Sequence, residues 1–197
     1  MQANSFSRKT TIDGSRTEFA RAWNEKAMQH QQTEEFFSAY FTGYIALVIA
    51  ATDIARHNIN FNMVSEEHYE YKSLLTAFEL SALHIDTFLN SEDAKIFKNR
   101  LLLRSIDGDF RIIGPGKNED DIRPVIDQLT SLWEKANITF LDLNQKKQQA
   151  NCIRELFRAV RNRLFHGDKD YRSTEDADLL QSLNPLLIGI VKTMLPN

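Results

Sequence analysis

The sequence predicts an all-α fold, a helical bundle in one domain, from three observations. Apolar residues recur at helical spacing almost throughout, and no segment shows the strict alternation of a half-buried strand. Only 7 glycines and 4 prolines occur among 197 residues, which leaves few tight turns and favours long helices. Hydroxyl and acidic residues stand together where helices should begin. The length suits a single domain with its own core, and the 42% apolar and 26% charged residues are ordinary for a globular chain.

Residues 1–18 are polar and read as a flexible tail, leaving 19–197 as the domain. A first helix is expected over about 19–31. A second follows over about 33–57, with Thr33, Glu34, Glu35 and Phe36 as its start signal. Its stretch from Phe36 to Ala55 approaches the length of a membrane span. It lacks flanking basic clusters and carries Tyr40 and Tyr44 inside rather than at its ends, so a buried core helix is expected. Ser65-Glu66-Glu67 opens a third helix to about Leu89, with Leu74, Leu75, Phe78, Leu83, Ile85, Phe88 and Leu89 as its buried set. Ser91-Glu92-Asp93 starts a shorter one to about Leu103. Residues 105–118, with three glycines and a proline, form the main loop, in which Phe110 to Ile113 read as a short extended piece. Helices are then expected over about 120–137, 142–166 and 174–195.

Several function classes drop out. One cysteine, Cys152, excludes an internal disulfide framework and fits a reducing, cytoplasmic setting; it reads as a small buried residue rather than a nucleophile. No signal peptide is visible and no membrane partner is expected. His30, His57, His68 and His84 do not form a metal set, and no metal or cofactor is expected. Gly114-Pro115-Gly116-Lys117 lacks the spacing of a phosphate loop and reads as a turn. Glu66, Glu67, Glu70 and Glu79 read as a solvated helix face, and Trp23 and Trp133 as packing residues.

The net charge of −3 hides an asymmetry. Residues 145–172 carry eight Lys/Arg (Lys146, Lys147, Arg154, Arg158, Arg161, Arg163, Lys169, Arg172) against Glu155, Asp168 and Asp170. That segment is +5 and the remainder −8, the footprint of a chain that meets an anionic ligand at one place.

With 150–166 helical, Ile153, Leu156, Phe157, Val160 and Leu164 fall within about 50° of one direction and turn into the bundle. Arg161 flanks that face. Arg158, Asn162 and His166 stack as one row pointing away from the core, with Glu155 beside it and Phe165 outward near Arg158. An exposed phenylalanine beside arginine suggests an interface centre, here with a second copy of the chain about a two-fold axis. His166 has a side chain whose ordinary pKa lies near neutrality, suited to moving protons. Arg161 offers a planar fork of donors for a phosphate and its transition state. Asn162 is placed to orient His166 or the phosphate, and Gly167 stops the helix. An RNA substrate brings its own nucleophile, the 2′-hydroxyl, so neither metal nor bound water is obligatory and the product is a 2′,3′-cyclic phosphate.

The string Arg161-Asn162-Arg163-Leu164-Phe165-His166-Gly167-Asp168-Lys169, late in the chain and followed by a last amphipathic helix, resembles the signature of HEPN-type ribonucleases. There an arginine followed by a polar residue precedes a histidine with four residues between. The aromatic second helix, with Phe36, Phe37, Tyr40, Phe41 and Tyr44, is similar to that family's early core helix. The resemblance is sharp over about 150–172, diffuse over about 30–197 and does not cover the tail.

It implies a HEPN-type bundle with a homodimeric active site formed by Arg161, Asn162 and His166. Apart from the resemblance, Arg158 and Lys169 are expected as substrate-binding cations in the same basic segment. The implied activity is metal-independent RNA cleavage, in a toxin, abortive-infection or antiviral setting, with an antitoxin or regulatory protein as partner. One departure stands out. HEPN toxins paired with nucleotidyltransferases often carry a tyrosine two residues after the histidine, where this chain has Asp168 and its nearest tyrosine is Tyr171. Two other functions fit the same string: an all-α dimer that binds RNA or a nucleotide without cutting it, and a pure interaction scaffold. The plain structural alternative is a helix end capped by Gly167, with His166 beside the terminal carbonyls.

Overall fold

The computed structural model describes residues 13–58, 66–92, 94–99, 123–165 and 174–196. Seven helices are defined in it: α1 (Asp13–Gln32), α2 (Phe36–Arg56), α3 (Glu66–Leu80), α4 (Ala82–Leu89), α5 (Arg123–Ala136), α6 (Leu143–Phe165) and α7 (Thr174–Met194). A further helical stretch covers 94–99, and no strand occurs among the described residues. The protein is all-α.

α2 is the centre. Among the described residues it is the one helix long and apolar enough to cross a membrane, yet it is wrapped by α1, α3 and α7. Small side chains allow the close approach, with Ala39, Ala46, Ala50 and Ala51 of α2 and Ala20 and Ala27 of α1 all buried. An added Cβ at Gly43 would meet Leu187 of α7 at 3.1 Å. α6 packs on α3, α4 and α5 and touches α2, so the arginine-bearing helix lies against the core along most of its length.

The boundaries of α5, α6 and α7 fall within a few residues of the sequence expectation. At α6 the reason is a reciprocal capping box: Gln145 N–H donates to Asp142 Oδ1 (2.9 Å) and Asp142 N–H to Gln145 Oε1 (3.0 Å). Three other expectations need correction. Residues 13–18, assigned to the tail from sequence, are the opening turns of α1, where Thr17 Oγ1 donates to Asp53 Oδ2 of α2. Thr33 does not start α2; its hydroxyl donates to the Gln29 and His30 carbonyls and so finishes α1. Glu34 then takes a positive φ of 61°, turning the chain before α2 starts at Phe36.

The third correction is the division of the long third helix at the buried Ser81. The turn there rotates Leu83 outward, so that it is 54% exposed rather than part of the buried set. The loop expected over 105–118, with its extended piece at Phe110 to Ile113, lies outside the described residues.

α7 carries Pro185 in its interior, which removes the hydrogen bond to the Gln181 carbonyl. Gln31 of α1 supplies the missing donor, its Nε2 reaching Gln181 O at 3.1 Å. The fully buried Asn184 donates to Gln31 Oε1 and to the Phe36 carbonyl, both at 2.9 Å, and so ties α7 to the α1–α2 corner. Trp133 is buried against Phe97, edge to face, as a packing residue.

Candidate functional site

The inward face of α6 forms from the residues its periodicity indicates. Ile153, Leu156, Phe157 and Val160 are buried, and Leu164 packs on the same core. Phe157 meets Phe78 of α3 edge to face, with ring centres 6.4 Å apart. Tyr40 of α2, itself buried, donates its hydroxyl to the Phe157 carbonyl at 2.6 Å, one turn before Arg161. Burial and the neighbouring Tyr44 hold the Tyr40 phenol well above its ordinary pKa, so it remains the donor.

That turn presents Arg161 at the edge of the core, 32% exposed. Its Nη1 donates to Asn162 Oδ1 at 3.1 Å, and Nη2 stands 3.9 Å from Glu70 Oε2 of α3. The guanidinium carbon lies 5.9 Å from the centre of the Tyr44 ring. The Tyr44 hydroxyl donates to Glu70 Oε1 at 2.9 Å. Burial, then the Glu70 carboxylate, raise the Tyr44 pKa far above normal, so this hydroxyl too stays protonated. Four side chains from three helices thus converge: Tyr44, Glu70, Arg161 and Asn162.

Glu155 organises the preceding two turns. Its Oε1 pairs with Arg154 Nη2 at 2.7 Å and its Oε2 accepts from Arg158 Nε at 2.9 Å. Arg158 keeps 43% of its side chain in solvent, in the row anticipated from helical spacing. The structure therefore brings Arg158, Arg161 and Asn162 to one stretch of α6, whereas His166 and Lys169 lie outside the described residues. A planar guanidinium with an amide beside it, a third open to solvent and backed by two protonated phenols, can hold an anion such as a phosphodiester.

The basic segment is not uniformly a ligand surface. Lys146 pairs with the buried Asp86 at 2.9 Å, and Gln149 donates to the same carboxylate at 3.1 Å. Arg154 is buried as well. Both cations serve the packing of α6 on α4 and α3 as much as any partner. Glu70, read from sequence as part of a solvated face, corrects in the other direction, since it is the carboxylate facing Arg161. Neither Glu70 nor Tyr44 could be found from local pattern, because their meeting depends on how three helices pack.

Cys152 is buried, and its Sγ donates to Gln128 Oε1 at 3.4 Å. Burial and then Glu155 push the thiol up to about 11, the opposite of a nucleophile's setting. The folded state favours the neutral thiol, while the unfolded chain ionises near about 8.5. The stability this contributes is complete below that pH and drains away as pH rises toward about 11. Denaturant titrations at pH 7.5 and 10 should show a larger loss for wild type than for Cys152→Ala; equal losses would contradict the buried neutral thiol.

A cavity of about 860 Å³ lies elsewhere, between α1, α4 and α7, with Met28, Phe88, Ile96, Pro185 and Ile188 in its walls. It shares no residue with the arginine row. No family model, curated protein or solved structure matches this chain closely enough to place it in a family.

Proposed function

We propose that the protein is a metal-independent endoribonuclease of HEPN type, acting as a cytoplasmic homodimer with Arg161, Asn162 and His166 at a composite site. The observation that carries this reading is the pairing of Arg161 with Asn162 on the last turns of α6, with a third of the Arg161 side chain in solvent, five residues before His166 in the sequence. Arg161 is the phosphate ligand and stabilises charge as the 2′-oxygen attacks; His166 transfers the proton; Asn162 orients the Arg161 guanidinium through its Oδ1. Arg158, and by its place in the string Lys169, attract the strand. A toxin, abortive-infection or antiviral role, with an antitoxin or regulatory protein as partner, follows only from the resemblance of the string.

The test is incubation of labelled single-stranded RNA with purified protein in EDTA, beside His166→Ala. Cutting by wild type alone, with 2′,3′-cyclic phosphate ends, is the expected result. RNA bound equally by both proteins and cut by neither would replace this reading with a non-catalytic RNA- or nucleotide-binding dimer. The engagement of Arg161 by Glu70 is the feature that favours that second reading.

A further inference from the structure

Arg154 is only 5% exposed, yet two of its guanidinium nitrogens, Nε and Nη1, have no hydrogen-bond partner. Buried donors left unsatisfied are costly and rare, so a site that retains them calls for a reason. The third nitrogen pairs with Glu155, and the Tyr71 ring of α3 covers the group at 4.8 Å. Arg154, Arg158 and Arg161 stand at i, i+4 and i+7, one stripe along α6.

Against this stripe α3 lays two consecutive side chains, Glu70 at Arg161 and Tyr71 over Arg154. A carboxylate on one arginine and an aromatic ring on another are the two kinds of group a nucleotide offers as phosphate and base. The Glu70 contact is loose: 3.9 Å, against about 2.7–2.9 Å for a hydrogen-bonded ion pair. Glu70 is 42% and Tyr71 43% exposed, so both lie at the mouth of the seam and can turn outward.

We propose that the seam between α3 and α6 is a binding groove for single-stranded RNA, in which Arg154, Arg158 and Arg161 take phosphates and Glu70–Tyr71 is an internal stand-in that the strand displaces. The choice of RNA as ligand rests on the ribonuclease reading. In the closed seam Tyr44 holds Glu70 in place, and strand entry exchanges the loose carboxylate contact for a bidentate phosphate. It also exposes the unsatisfied Arg154 donors to a partner, while Tyr71 is freed to stack on a base.

The experiment is fluorescence anisotropy with a labelled 2′-O-methyl oligonucleotide, which cannot be cut, on the full chain and its Glu70→Gln and Arg154→Gln variants. Glu70→Gln keeps an acceptor for Tyr44 and removes only the charge. It should bind at least about fivefold tighter than wild type, the effect of deleting one negative charge beside a phosphate near solvent. Arg154→Gln should bind about fivefold weaker, scored only if its melting temperature shows a folded protein. Unchanged or weaker binding by Glu70→Gln, or no binding by either protein, overturns the proposal. Because the probe is uncleavable, tightening stands even if no RNA is ever cut. Unchanged affinity sinks the groove even if cleavage is found.

Discussion

Arg161→Lys should lose at least about a hundredfold in the rate of RNA cleavage while keeping its fold and most of its affinity for RNA. Lysine retains the charge but not the planar fork, so the ground-state attraction to a phosphate survives while the paired donors for the transition state are lost. The fold should hardly notice. Arg161 is a third exposed, its ion pair with Glu70 is long, and such pairs contribute little to stability. The measurement is single-turnover cleavage beside binding of an uncleavable strand and a melting curve. A lysine variant that cuts at the wild-type rate would remove the bidentate role from Arg161, and one that melts far lower would make it a structural residue.

The second large effect is on stability. Gly189 of α7 lies directly under the Phe88 ring of α4, and a Cβ built there would be 2.1 Å from Phe88 Cζ. The obstacle is a whole aromatic ring rather than the end of a flexible chain, which separates this site from Gly43, where the Leu187 side chain can give way. Gly189→Ala should destabilise by about 2 kcal/mol, the overpacking cost less the helix preference for alanine. That corresponds to a melting temperature lower by about 4–8 °C in a domain of this size. In a Phe88→Ala background the sign should reverse, with Gly189→Ala stabilising by up to about 1 kcal/mol. A loss of the same size in both backgrounds would show that the ring is not the obstacle.

The two predictions differ in what foretold them. Arg161 is visible in the sequence because its neighbours in the string, Asn162, His166 and Gly167, are local. Helical spacing also placed Ile153, Leu156, Phe157 and Val160 on the buried face. Gly189 carried no such mark. Its role is set by Phe88, a residue on another helix far away in the chain. The same holds for Glu70, which looks like any surface glutamate until Tyr44 and Arg161 are beside it.

Charge was the least legible property. Eight cations in one segment suggested one basic patch, but Lys146 is spent on Asp86 and Arg154 is buried under Tyr71. Whether a charge faces water or the core depends on the partner that packing brings, and composition holds no record of that. Apolar period, capping and the absence of alternating strands are properties of neighbouring residues, so the all-α fold and most helix ends could be read from the chain alone. The break at Ser81, the seat of Phe88 on Gly189 and the meeting of Tyr44, Glu70 and Arg161 join helices distant in the chain. Only folding decides them, because their energies come from close packing and desolvation, which exist nowhere until the helices are assembled.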